Sequence, residues 1–275
     1  MTPIRIASVQ LAPAVGEQES NRSGTLAAIA DAASAGAALV VLPELGNSGY
    51  AFKDRREAAG LAEPADGPTV TAWMSFAAEH GTVIVGGFCE VGAAGRLHNS
   101  VAVVDASGLR AVYRKLHLWD REALVFSPGR EPPPVVDTAV GRLGIGICYD
   151  IVFPELTRRL AIDGADALVL PTNSTLPDPP GDPRPDVALA VATAYVNRMW
   201  VVIADRCGVE RGIRWAGASV IVDHLGRVVA GPGEPDSAAI LLADGDLTAA
   251  RDKRWGARND LLADRRRDVY GTWPG

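Results

Sequence analysis

Apolar residues along this chain fall into two alternating rhythms, short continuous runs and longer stretches with helical spacing. Residues 4–11 read as a strand, and residues 21–35 as a helix with Asn21 as its cap and Gly36 at a left-handed stop. Residues 38–42 form a continuous apolar run ending at Pro43, the mark of a strand buried on both faces. Pro68–His80 predicts a second helix, closed by Gly81, and residues 83–87 a further buried strand. Residues 99–105 and 110–115 flank Ala106-Ser107-Gly108-Leu109 as a hairpin. Strands follow at 135–137 and 143–147, then a helix over 154–163 with Pro154 in its first turn, then a strand at 167–170. The stretch from Pro171 to Pro185 is too rich in proline for regular structure. Beyond it the pattern predicts a helix from its cap Asp186 to about Met199, a strand at 201–204, and a hairpin pairing 219–222 with 227–230. After Asp246 the chain turns polar, rich in Arg and Asp, with too few apolar positions for a core element.

Strand–helix alternation interrupted by two hairpins predicts an α/β fold of mixed sheets covered by helices. No repeat, low-complexity tract or linker divides the chain, so its 275 residues read as one domain, with 247–275 as a polar C-terminal arm. A domain of this size buries about 75% of the surface its unfolded chain exposes. Residues 187–196 are apolar on every face of the expected helix, which must therefore be buried inside the domain or against another subunit.

Composition narrows the function. A net charge of −6 argues against a partner bound by neutralising phosphates, and equally against a basic membrane-surface binder. The arginines between Arg251 and Arg267 alternate with Asp252, Asp260 and Asp264, a salt-bridged surface rather than a nucleic-acid patch. No basic, apolar leader opens the sequence, and no apolar run approaches the roughly 20 residues that cross a bilayer. Cys89, Cys148 and Cys207 are odd in number and far apart, which fits neither a disulfide framework nor a metal knuckle and points to the cytoplasm. His80, His98, His117 and His224 lack ligand spacing, so no metal is expected.

Three strand ends carry chemistry. In Gly144-Ile-Gly-Ile-Cys148-Tyr149-Asp150-Ile-Val-Phe153-Pro154-Glu155, a buried strand stops at a cysteine and a proline-started helix begins within six residues. That is the strand-to-turn geometry that exposes a nucleophile and leaves backbone N–H groups for an oxyanion. Taken alone, Cys148 fits a buried inert thiol equally well, as Cys89 and Cys207 do. Glu44 and Lys115, however, also stand just past apolar strands, where an unpaired charge is expensive. They read either as one salt bridge or, with Cys148, as base, cation and nucleophile at the edge where open sheets assemble their sites.

With these motifs in view, the sequence resembles the nitrilase-type carbon–nitrogen hydrolase superfamily, and the resemblance spans nearly the whole chain. It rests on Pro43-Glu44, Arg114-Lys115-Leu-His117, and Ile147-Cys148-Tyr149-Asp150 followed by Phe153-Pro154-Glu155, three motifs in the family's order. The resemblance implies an αββα four-layer sandwich, a Glu44–Lys115–Cys148 triad, and Tyr149 as the backbone oxyanion donor. It also implies a second active-site glutamate at Glu122, whose bland reading is a solvated loop carboxylate. Tyr50 and Asn173 resemble substrate-lining positions, with a plain loop role as the alternative for each. The chemistry implied is hydrolysis of a small carboxamide to an acid and ammonia through a cysteine thioester, with no cofactor. A homodimer or larger even assembly is implied as well, pairing through the helix after the cysteine and the all-apolar helix.

Departures from the family pattern bear on the substrate. Val152 stands where several branches carry arginine, tryptophan or an acid, so carboxylate-bearing amides and N-carbamoyl amino acids lose an anchor. The Cys-Tyr-Asp context resembles amidases and carbamoylases more than nitrilases, which leaves an N-carbamoyl amide hydrolase or a nitrilase as alternatives. A non-catalytic binding member is a more distant one, because a binding module has no use for an aligned Cys, Lys and Glu.

Overall fold

The computed structural model describes residues 3–176 and 184–270; residues 177–183 of the proline-rich stretch between Pro171 and Pro185 lie outside the described residues. The first half runs β1 (Ile4–Gln10), α1 (Gln18–Ser34), β2 (Ala37–Val41), α2 (Arg55–Leu61), α3 (Pro68–His80), β3 (Val83–Val91), β4 (Leu97–Asp105) and β5 (Gly108–Arg114). A short helix, α4 (Glu122–Val125), leads to β6 (Val135–Thr138), β7 (Gly141–Ile145), α5 (Pro154–Ile162), β8 (Ala167–Pro171), α6 (Pro185–Asn197) and β9 (Trp200–Ala204). Then come β10 (Val209–Glu210), β11 (Ile213–Arg214), β12 (Val220–Val222), β13 (Val228–Ala230) and β14 (Ala239–Gly245).

These strands build two six-stranded mixed sheets, ordered β14-β1-β2-β3-β4-β5 and β13-β12-β9-β8-β7-β6. In each, three parallel strands sit at the centre and antiparallel strands flank them. Successive strand residues face opposite ways, which divides the core into layers. Leu39, Val41, Val83 and Val85 meet Ile145, Ile147, Val169 and Val202 between the sheets. Val40, Leu42 and Ile84 turn outward onto Ile29 of α1 and Trp73 of α3. Leu168, Leu170 and Val201 do the same for Leu160 of α5 and Ala190 of α6. The result is the αββα sandwich. Gly86 is what lets α3 seat so closely, since a Cβ there would lie 2.6 Å from the Trp73 ring.

The boundaries differ from expectation in instructive places. Asn21 does not cap α1. Its side chain bridges the Ala14 backbone and the Asn47 carbonyl, and the helix begins a turn earlier at Gln18. Pro185 opens α6, so Asp186 lies inside the first turn rather than at the cap. β14, which the pattern did not reveal, is a half-exposed edge strand completing the first sheet from the far end of the chain. The segment after Asp246 is not wholly peripheral, because Leu247 and Ala250 are buried between the sheets. Past them, Arg251 pairs with Asp166, Arg254 with Asp252 and Arg266 with Asp268.

Helix α6 is buried on one face within the domain and not on all sides as the pattern predicts. Ala190, Thr193, Ala194 and Asn197 are buried, but Tyr195 and Val196 are 50% and 43% exposed. No helix among the described residues is long and apolar enough to cross a membrane.

Since Leu247 is 1% exposed and fills the space between the sheets, Leu247→Ala should cost about 2–5 kcal/mol. Urea unfolding followed by fluorescence measures it, and a loss under about 1 kcal/mol would mean the segment only rests on the core.

Candidate active site

Each chemistry-bearing residue stands one to three positions beyond a strand. Glu44 follows β2 through Leu42-Pro43, in a loop held against β3 by Gly46 N–H to Gly87 O (2.8 Å) and Gly87 N–H to Pro43 O (3.2 Å). The approach is tight: a Cβ on Gly87 would fall 2.5 Å from Glu44 Cα. Lys115 follows β5, its N–H donating to Asn99 O (2.9 Å) and its carbonyl accepting from Gly129 N–H (2.8 Å). Cys148 follows β7 with φ at +43°, a left-handed conformation that costs a non-glycine residue about 1–3 kcal/mol. Its turn is over-determined: Ile147 N–H donates to Asp150 Oδ2 (3.0 Å) and Asp150 N–H to Ile147 O (3.0 Å).

At the floor Lys115 Nζ donates to Glu44 Oε1 (2.7 Å) and Glu122 Oε1 (2.8 Å). Asn99 Nδ2 bridges the same two carboxylates at 2.6 and 3.3 Å. Glu122 is 4% exposed and also accepts from Trp119 N–H at 2.9 Å, so it is not a solvated loop carboxylate. Glu44 Oε1 is saturated; among the described residues its buried Oε2 has no partner. Burial pushes the Glu44 carboxyl up to about 7, against the opposing pull of Lys115. Burial alone would lower the Lys115 ammonium, but Glu44 and Glu122 outweigh it and hold its pKa above the ordinary value. The cation is fixed, and Glu44 is a carboxyl that can exchange a proton near neutrality.

Cys148 belongs to the same electrostatic unit. Burial, then the Glu44 charge, push its thiol well above the ordinary range, while Lys115 and the Asn173 backbone pull the other way. These surroundings disfavour the free thiolate, so its chemistry calls for a neighbouring base. Asp150, fully buried, ties the Cys148 turn to the Lys115 strand by accepting from Tyr113 Oη (2.8 Å) and pairing with His117 Nδ1 (2.7 Å). Asn173, after β8, donates Nδ2 to Glu44 O (2.9 Å) and leaves its buried Oδ1 unpartnered among the described residues. Cys89 and Cys207 are buried elsewhere, and burial pushes Cys89 up to about 12.

Above Cys148 opens a cavity of about 650 Å³ whose lining includes Tyr50, Trp119, Tyr149, Val152, Asn173 and Trp215. All seven residues singled out from the sequence thus converge on the floor or lining of one site. A second group was missed. Asp205 accepts from Ser174 N–H (2.9 Å), Arg206 N–H (2.8 Å) and Ala218 N–H (2.8 Å), fixing the loop that carries Asn173. Arg206 lies 4.4 Å over the Trp215 ring and pairs with Glu210 (3.0 Å), which in turn accepts from Tyr50 and Ala51 N–H. Tyr50 packs edge-on against Trp215, and burial, then the Glu122 charge, push its hydroxyl well above the ordinary range. The signal was available: Asp205-Arg206 follows an apolar strand, just as Glu44 and Lys115 do. Among the described residues no group of three or more His, Cys, Asp or Glu could hold a metal ion.

A sandwich of two mixed sheets with a cysteine, a lysine and a glutamate at its strand ends, and a second glutamate opening α4, defines a cysteine-dependent hydrolase site. The chain belongs to the carbon–nitrogen hydrolase family, whose model matches residues 5–254. It is 36% identical to a nitrilase of Pyrococcus abyssi over 268 residues, 97% of this chain and 99% of that one. It is also 36% identical to an (R)-stereoselective amidase of a Pseudomonas species over 98% of this chain and 93% of the relative. In structure it resembles an amidase of a Nesterenkonia species, with a TM-score of 0.79 and 25% identity over 98% of this chain and 95% of the other. A mutant of that amidase carries the acetamide moiety of fluoroacetamide covalently added at its active-site cysteine.

Glu210→Ala should strand the buried Arg206 and release the Tyr50 loop, costing about 3–5 kcal/mol by chemical denaturation. Adding Arg206→Met should recover at least half of that loss. If the double variant is no more stable than the single, the ion pair is not what holds the loop.

Proposed function

We propose that this protein hydrolyses a small carboxamide to the carboxylic acid and ammonia through a thioester on Cys148. The observation that carries the reading is the half-saturated Glu44: one oxygen held by Lys115 and Asn99, the other without a partner among the described residues, in the same charged cluster as Cys148. Glu44 takes the thiol proton, and the thiolate attacks the amide carbon. The oxyanion is met by the Lys115 ammonium and by the Tyr149 N–H, which precedes the first backbone bond of the turn at Asp150. A preorganised donor of this kind is worth about 3–4 kcal/mol. As the tetrahedral adduct collapses, Glu44 returns the proton to the departing nitrogen and ammonia leaves. Glu44 then deprotonates water, which attacks the thioester, and the regenerated thiolate recovers the proton. Glu122 positions Lys115, while Tyr50 and Asn173 line the substrate space. No cofactor enters this scheme.

The wider setting follows the same reading. We propose one domain with residues 247–275 as an arm, acting in the cytoplasm, where three unpaired cysteines are at home. Nucleic acid is not a proposed partner; the arginines at 251, 254 and 266 are already paired with aspartates. Half-exposed Tyr195 and Val196 on α6 support a homodimer or larger even assembly that uses α5 and α6.

Mass spectrometry of the enzyme quenched during turnover of a slow amide should find an acyl adduct on the peptide containing Cys148. Cys148→Ala should abolish both adduct and ammonia release, and an adduct elsewhere would refute the scheme. A panel of amide, nitrile and ureido compounds separates the amidase from the nitrilase and N-carbamoyl hydrolase readings by which class releases ammonia fastest.

For the assembly, Val196→Glu places a charge on a side chain already 43% exposed in the isolated chain. Sedimentation should show it dissociating to a folded monomer. A wild type that sediments as a monomer at high concentration would remove the proposal.

A further inference from the structure

The cavity over Cys148 is uneven in charge. Tyr50, Trp119, Val152, Leu189, Ile213 and Trp215 give it apolar and aromatic walls. Among the described residues four charged side chains also line it: Asp120, Arg121, Asp186 and Arg211. Arg211 is committed elsewhere, bidentate to Glu57 at 2.7 Å on each arm and donating to Ala51 O at 2.9 Å. Asp120 and Arg121 are both exposed, adjacent in sequence and opposite in sign. Asp186 is different. It is half-buried and, among the described residues, forms no ion pair. The floor adds no net positive charge, because the Lys115 ammonium faces two carboxyl groups.

We propose that the carboxamide taken by this site also carries a protonated amine, and that Asp186 binds that ammonium within the cavity. The inference rests on the amide-hydrolase reading and deepens it. The cavity offers a cation a carboxylate that has no counter-ion among the described residues, and several aromatic faces, each of which attracts positive charge. Among the described residues it offers an anionic group no uncommitted cation except exposed Arg121, and Val152 adds only an apolar surface. Burial holds the Asp186 carboxyl above its ordinary pKa, and an incoming ammonium would oppose that shift. The competing explanation is that Asp186 merely stabilises the first turn of α6 through the helix dipole. That role predicts no preference among substrates.

The test compares linear aminocarboxamides of increasing chain length with alkyl carboxamides of the same shape and with their carboxylate-bearing analogues. Wild type should favour the best aminocarboxamide over its alkyl counterpart by at least tenfold in kcat/KM, mostly through KM, with the carboxylate series poorest. Asp186→Asn should bring the amine-to-alkyl ratio to within about twofold. If alkyl amides release ammonia but wild type shows no preference for the amine, this inference falls while the amidase reading stands. Calorimetry on Cys148→Ala removes the dependence on turnover. The aminocarboxamide should bind it at least fivefold more tightly than the alkyl amide, and equal affinities would overturn the assignment. Should the asparagine variant fail to fold, the wild-type chain still decides with an aminoamide whose amine titrates near pH 8. Its rate relative to the alkyl amide should fall as that amine loses its proton, and a flat ratio would refute the proposal.

Discussion

The ammonium of Lys115, with none of its side-chain surface exposed, is held between two carboxyl groups that are themselves 0% and 2% exposed. Removing three such groups from water carries a penalty of several kcal/mol for each charge, so the cluster is stable only while all partners stay within hydrogen-bond distance. That requirement fixes the loops after β2 and β5 and the turn at α4, which supply Glu44, Lys115 and Glu122. It also leaves one carboxylate oxygen without a partner among the described residues, and the proposed proton transfers use that oxygen. The same low-polarity surroundings that make the cluster costly raise the Glu44 carboxyl toward neutrality and push the Cys148 thiol above its ordinary range.

The sandwich explains how these groups meet. Three parallel strands at the centre of each sheet bring their carboxyl ends to one edge, and the facing sheets set Glu44 opposite Cys148 and Asn173. Asp150 then joins the sheets at the level of the chemistry by holding Tyr113 and His117 from the first and the Ile147 N–H from the second. Away from the chemistry, Ser8 Oγ donates to Ile203 O at 2.6 Å and ties the layers deeper in. Rigid strands position the reacting groups, whereas the cavity walls come from loops and from α6.

Much of this was legible in the sequence for a single physical reason: a charge or thiol directly after a continuous apolar run has no cheap explanation. That rule picked out Glu44, Lys115 and Cys148. Applied once more, it would have found Asp205 and Arg206. It did not find β14, whose half-exposed residues look like ordinary surface until β1 is known to need a partner. Nor did it assign the burial of Leu247 and Ala250, two apolar residues among charged neighbours whose fate is decided by the gap between the sheets. Asn21 shows a related limit, since its side chain bridges two loops that sequence cannot place together. Local pattern reads what an element is. It does not read what an element is brought against.

Gly87 turns that limit into a genetic one. Its missing side chain makes room for the backbone at Glu44, with the Glu44 amide neighbour Leu45 N only 2.7 Å from where a Cβ would stand. A library randomised at position 87 and selected for activity would therefore return almost nothing but glycine, although this residue contributes no functional group. Variants inactive for this reason would still carry every reacting side chain, and a survey of catalytic residues would record them as intact. Redesign of this scaffold for a different reaction inherits the same restriction: the spacing between β3 and the Glu44 loop is set by a hydrogen atom, and no choice of chemistry at position 44 relaxes it.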